Sequence, residues 1–74
     1  MNYNYTAYIE KDAESGMYIG MVPAITGAHT CAETIDELQK KLKEVILLCL
    51  ESMDEAEIKA IPSFAGISQI EVAI

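Results

Sequence analysis

The side chains that could do chemistry in this sequence are one histidine, two cysteines and several carboxylates. His29 and Cys31 are two residues apart, so on a β-strand they would share a face, where they could bind a metal ion or form a thiol–base pair. A zinc site needs three or four ligands, and a nucleophilic cysteine needs a base held by a third group. The sequence has no second histidine, and Cys49 lies in the apolar stripe of a predicted helix. We therefore predict no metal ion and no cofactor, and interpret His29 as a surface residue.

The carboxylates could in principle form a nuclease site, in which acidic groups hold two metal ions about 4 Å apart. Glu10 and Asp12 occur where a first strand ends, and Asp36 and Glu37 occur where a helix begins. The latter two are explained by the helix dipole and by a capping box between Thr34 and Glu37. We therefore predict no catalytic residues and no enzymatic activity.

Charge excludes one large class of partner. The 74 residues carry a formal net charge of −7, and all five basic residues are lysine. Arginine is the main reader of guanine edges, and an acidic domain repels the nucleic-acid backbone. We predict no direct nucleic-acid binding, whereas a basic protein partner would suit this charge.

The start of the sequence and its longest apolar block indicate where in the cell the protein is expected. Residues 1–5 contain no basic residue and no apolar run, which argues against a signal peptide and favours a cytoplasmic protein. The longest apolar block, residues 45–50, is far too short to span a bilayer, so we expect no membrane partner. A chain this small buries only about 60% of its unfolded surface, so such domains commonly depend on a partner chain.

Apolar periodicity predicts one α+β domain over residues 1–74, with the order β-β-β-α-β. The helical crossover should place the fourth strand beside the first and parallel to it. A capping box at residues 52–55 should open a short second helix. Strands are expected at residues 3–11, 17–22, 28–31 and 67–74, with the amphipathic helix, from Ile35 to Met53, on one face of the small sheet and the short helix ending near Ala60.

Two apolar features predict self-association. Leu47 and Leu48 fall outside the helix stripe, where they either pack under the loop at 62–66 or form an interface. Large apolar residues also occur on both faces of the first two strands, although one helix can cover only one face. We expect a homodimer or tetramer, with Leu47, Leu48 and Tyr8 at the interface.

The order and spacing of residues 18–38 resemble the N-terminal domain of the HicB antitoxin family. The family pattern has a hairpin of the kind Tyr-x-Ala-x-Val-Pro-x-x-x-Gly, then Gly-Asp-Thr-x-x-Glu-Ala and an amphipathic helix. This sequence departs from it at Ala32, where the family has Gly, and at Leu38, where the family has Ala. The positions that match are Tyr18, Pro23, Gly27, Thr30, Thr34 and Glu37. The resemblance implies a truncated ribonuclease-H-like fold. The helix-turn-helix or ribbon-helix-helix domain with which many members bind their operator is not in this sequence.

The resemblance also implies a function, which is to bind and neutralise a HicA-like toxin, a small basic endoribonuclease. The alternative is a stand-alone, self-assembling HicB-like protein with a structural or small-ligand-binding role and no toxin. For the first function, we expect two anchor residues surrounded by acidic ones. The candidate anchors are Tyr18 and Ile25, and the candidate acidic residues are Asp12, Glu14, Glu33, Asp36 and Glu37.

Overall fold

Three short antiparallel strands and two helices form the structure, a computed structural model that describes residues 3–74. The strands lie in the order β1-β2-β3, and the long helix packs on β2 and β3. The α+β class and the two predicted helices are therefore confirmed. The elements are β1 (Tyr8–Lys11), β2 (Tyr18–Met21), β3 (His29–Ala32), α1 (Ile35–Glu51) and α2 (Glu55–Lys59).

Asp12 organises the turn between β1 and β2. Its carboxylate accepts hydrogen bonds from the Ser15 backbone N–H at 3.0 Å and from the Ser15 hydroxyl at 2.7 Å. The Gly16 N–H donates to the Asp12 carbonyl at 2.9 Å, and Gly16 has a φ of 75°, which glycine adopts without a steric penalty. The turn thus closes on itself and returns the chain as β2.

The loop between β2 and β3 folds into the core. The Val22 N–H donates to the Ala28 carbonyl at 2.8 Å, and the Ile25 N–H donates to the Val22 carbonyl at 3.0 Å. All three of these side chains are buried. This loop therefore closes one end of the core.

The long helix begins at its predicted cap and packs through its predicted stripe. The Thr34 hydroxyl accepts a hydrogen bond from the Glu37 N–H at 3.1 Å, so Thr34 is the N-cap, although the structure shows only this one of the two bonds of the predicted capping box. Leu38 and Leu42, one turn apart, are buried against the sheet. A Cβ at Gly20 would lie only 2.8 Å from Leu42 Cδ1, so the glycine is what lets α1 approach β2 this closely.

The predicted fourth strand is not formed. Residues 67–74 are outside regular structure and exposed, and within residues 3–74 no strand pairs with the outer edge of β1. The radius of gyration is 14.2 Å, whereas a compact domain of this length has about 11 Å. The described chain is thus a three-stranded sheet with one main helix and an extended tail.

Several other predicted boundaries are wrong: α1 ends at Glu51 instead of Met53, β2 is one residue shorter at each end, and β3 begins and ends one residue later. The first strand begins at Tyr8 instead of residue 3, because the chain before it has no strand partner among the described residues. The second capping box is formed by Asp54 with Glu57, because Ser52 ends α1: its N–H and hydroxyl both donate to the Cys49 carbonyl.

Candidate protein-binding surfaces

The strand register gathers most of the predicted partner-binding residues at one end of the sheet. Lys11 is paired with Tyr18, and Tyr18 is paired with Ala32, so these three residues form the last row of the sheet. The β1–β2 turn leaves this row after Lys11, and the start of α1 follows it after Ala32. The acidic residues that lie just beyond the row, here called the acidic end, are Asp12, Glu14, Glu33, Asp36 and Glu37.

Tyr18 lies beside the acidic end and is half-buried. Its ring packs against the core cluster, and the ammonium group of Lys11 lies 5.6 Å from the ring centroid. That distance is within the range of a cation–π contact. An aromatic ring fixed in this way loses little conformational freedom on binding, which suits an anchor residue.

Ile25 does not lie with the other candidates. It belongs to the loop at the opposite end of the sheet, beyond the row of Met21 and His29, and its side chain is only 4% exposed. Its place in the core means that it cannot contact a partner in this conformation. The sequence pattern did not reveal this, because an isoleucine in a loop after a proline carries no periodic signal of burial.

The face of the sheet opposite α1 is exposed and carries three large apolar side chains, with Glu10 opposite one of them. The register pairs Tyr8 with Met21 and puts Ile19 two residues before Met21, so these three side chains share that face. They are 47%, 50% and 42% exposed, respectively. Ile19 and Met21 were not among the candidate interface residues, although their alternation with Tyr18 and Gly20 was the signal that could have identified them.

His29 and Cys31 lie on this same exposed face, as the spacing predicted, because their register partners are Met21 and Ile19. Within residues 3–74, His, Cys, Asp and Glu side chains do not come together in any group of three that could hold a metal ion. Neither helix of the described chain has both the length and the apolarity that a membrane span requires.

Leu47 and Leu48 are exposed on α1, by 51% and 66%. Of the two interpretations of this pair, packing under the loop at 62–66 is excluded, because that loop instead lines a groove with residues 3–8. Tyr8 lies on the far side of the sheet from α1. The predicted interface residues therefore belong to two separate surfaces.

The fold and these surfaces define a small two-layer α+β domain with an acidic end and an open sheet face. The chain belongs to the family described as HicB-like antitoxin of bacterial toxin-antitoxin system, whose family model matches residues 5–73. The resemblance seen in the sequence is therefore confirmed.

Three curated relatives share this sequence over nearly its whole length. The chain is 45% identical over 64 residues to UPF0150 protein ssr1258 of Synechocystis, covering 86% of this chain and 87% of the relative. It is 41% identical over 69 residues to a UPF0150 protein of Thermotoga maritima, covering 92% and 88%. It is 40% identical over 68 residues to a UPF0150 protein of Archaeoglobus fulgidus, covering 92% and 93%. No solved structure matches significantly.

Proposed function

We propose that this protein is a cytoplasmic antitoxin that neutralises a small basic HicA-like endoribonuclease by binding over its active site. The observation that carries the proposal is the acidic end with Tyr18 in the adjoining row of the sheet. The antitoxin description of the family supports binding as the activity and gives no support to catalysis. A basic ribonuclease must attract RNA phosphates, so a surface dense in carboxylates is complementary to its active site.

The two parts of this surface would act at different stages of binding. Exposed carboxylates steer a basic partner over a distance and mainly set the association rate and its salt dependence. A fixed aromatic residue excluded from water mainly sets the dissociation rate. Ile25 would contribute indirectly, by holding the loop at 22–28 against the core.

The first test is to look in the adjacent reading frames for a small Lys/Arg-rich protein and to co-express any such protein with this chain. We expect the toxicity of that protein to be suppressed and a stable complex to be recovered. Unchanged toxicity with no complex would contradict the antitoxin function.

Binding kinetics of the complex then test the proposed surface. Replacing Glu14 and Glu33 together by lysine should slow association about tenfold or more at low salt and flatten its salt dependence. Replacing Glu44 and Glu51 together by lysine is the control, because it changes the net charge by the same amount and both residues lie in the second half of the 17-residue α1, away from its acidic start. An equal effect of both changes would show that net charge, and not this surface, steers the partner.

Tyr18→Ala should speed dissociation by roughly thirtyfold, corresponding to about 2 kcal/mol of binding free energy. Tyr8→Ala is the matched control, because Tyr8 lies on the other face of the sheet and in the row at the other end of it, paired with Met21. Since Tyr18 also touches the core, the unfolding midpoint of each variant is measured alongside. Loss of affinity that follows only from unfolding would contradict the anchor role.

A second function, self-assembly without a toxin, is favoured by the exposed apolar residues of the open sheet face and of α1. A stable homo-oligomer, together with no complex in the co-expression test, would support it over the first.

A further inference from the structure

We propose that two copies of this chain exchange residues 67–74, each adding its tail as a strand to the outer edge of β1 in the other copy. This exchange goes beyond the proposed toxin binding and does not depend on it. It rests on four features: a tail with the sequence pattern of a strand, an acceptor edge with an apolar groove, the position of the tail relative to that groove, and the charges along the seam.

The tail has the composition of a strand without the contacts of one. Ile70 and Val72 alternate with Gln69 and Glu71, which is the period of a half-buried strand, and Ile and Val are strong strand formers. In the single chain, Ile70 and Val72 are 78% and 73% exposed. An apolar, β-branched segment this exposed is a template for pairing with another chain.

The acceptor is the outer edge of β1 with the groove beside it. Among residues 3–74, only β2 pairs with β1, so the other edge of β1 presents unpaired N–H and C=O groups. A groove of about 560 Å³ continues this edge beyond its Tyr8 end. One wall is residues 3–8, where Tyr3 and Tyr5 stack with their ring centroids 6.4 Å apart, and the other includes Ile61 and Phe64.

The path of the chain favours exchange between copies over closure within one copy. Residues 62–67 form one wall of the groove, whereas residues 68–74 neither line it nor pair with β1 of their own chain. Pro62 stiffens the short connection from α2. In domain exchange, a segment makes in a second copy the contacts it would make in its own, and a tail without such contacts in its own chain is free to do so. Exchange would also restore the β-β-β-α-β arrangement that the sequence pattern predicts.

Charge distinguishes this edge from the rest of the molecule. Each chain carries a net charge of −7, which opposes most contacts between copies. Residues 3–11 carry only Glu10 and Lys11, whose charges cancel, and the tail carries only Glu71, so the seam between them avoids most of this repulsion. The other edge strand is less available, because the Lys41 ammonium group donates to the Cys31 carbonyl of β3 at 3.1 Å.

Cross-linking tests the exchange directly. In a chain with Cys31→Ser and Cys49→Ser, cysteines are introduced by Glu10→Cys in β1 and Glu71→Cys in the tail, and a flexible bis-maleimide is added. We expect a covalent dimer of twice the 8.1 kDa chain mass, and the same product when the two cysteines are on different chains that are mixed. An internally cross-linked monomer would overturn exchange in favour of closure. No cross-link would overturn any pairing of the tail with β1.

A matched pair of tail variants tests the energetics without altering the core. Val72→Lys puts a charge on the apolar side of the tail, and Ala73→Lys puts the same charge on its polar side, one residue away. Measured by analytical ultracentrifugation, the dimer dissociation constant should rise at least tenfold for Val72→Lys and change less than threefold for Ala73→Lys. Equal effects of the two changes, or none, would overturn the proposal. The cross-linking and ultracentrifugation experiments use this protein alone. Their results therefore do not depend on whether co-expression reveals a toxin partner.

Discussion

At the scale of single residues, Asp12 both shapes a turn and contributes charge to the acidic end. Hydrogen bonds from the Ser15 hydroxyl and, next in size, from the Ser15 backbone N–H hold the pKa of the Asp12 carboxyl below its usual value. These bonds stabilise the ionised form, so their contribution to folding is present above the ordinary pKa of 3.8 and is lost as the pH falls through the lowered pKa.

Ser15→Ala should therefore raise the pKa of Asp12 towards 3.8, because the hydroxyl that donates to the carboxylate is removed. Side-chain carboxyl chemical shifts followed by NMR through an acid titration would measure it. Ser63→Ala, in the loop after α2, is the control and should leave the pKa of Asp12 unchanged. If Asp12 titrates identically in the Ser15→Ala and native proteins, the hydroxyl hydrogen bond is not what perturbs it.

At the scale of elements, the packing of α1 on the sheet depends on one missing side chain. Because a Cβ at Gly20 would approach Leu42 and Leu38 to 2.8 and 3.1 Å, a larger residue must push the helix away or distort both leucines. Gly20→Val should lower the free energy of unfolding by about 1–3 kcal/mol, measured by urea denaturation.

Ile19→Val is the control for this change. Ile19 is the neighbouring residue on the exposed face, so its shortening should cost within about 0.5 kcal/mol. Equal stability of Gly20→Val and the native protein would mean that the helix adjusts freely and that no close contact is required there.

The elements that could be predicted from the sequence are those specified by residues close together in the chain, such as a helix cap or an apolar stripe. The cap at Thr34 and the stripe through Leu38 and Leu42 lie within one helix, and both are confirmed. The second cap was misplaced, because Ser52 and Asp54 are both capping residues and only the end of α1 decides between them. The tail at 67–74 has a strand pattern, but a strand needs a neighbouring edge, and sequence periodicity does not say in which chain that edge lies.

The candidate protein-binding surface could also be predicted only in part from the sequence. The acidic residues and Tyr18 come together because the turn after β1 and the start of α1 are at the same end of an antiparallel sheet, which the hairpin pattern implies. The burial of Ile25 could not be foreseen, since it depends on how the loop at 22–28 folds against α1.

At the scale of the whole molecule, the acidic end lies apart from the groove and from the exposed leucines of α1. The acidic end is at one end of the sheet, the groove beside β1 involves the opposite end, and Leu47 and Leu48 project from the outer side of α1. Tail exchange and toxin binding would therefore use different regions, and an oligomer could keep its acidic ends accessible. The exposed leucines then provide a second surface, through which dimers could pair into a tetramer, as symmetric oligomers often do.

Leu48→Lys should reduce this second association at least tenfold, because a desolvated ammonium group would have to enter an apolar contact. Light scattering coupled to gel filtration at micromolar concentration should then show a dimer where the native protein forms a tetramer. Ile35→Lys is the matched control, since Ile35 is another exposed apolar residue of α1, 43% exposed, at the other end of the helix. Because Leu48 is 66% exposed, the stability of each subunit should change by no more than about 0.5 kcal/mol. An unchanged mass for Leu48→Lys, or an equal loss with Ile35→Lys, would show that the leucine pair is ordinary helix surface and that the tail alone, if it pairs, sets the oligomer.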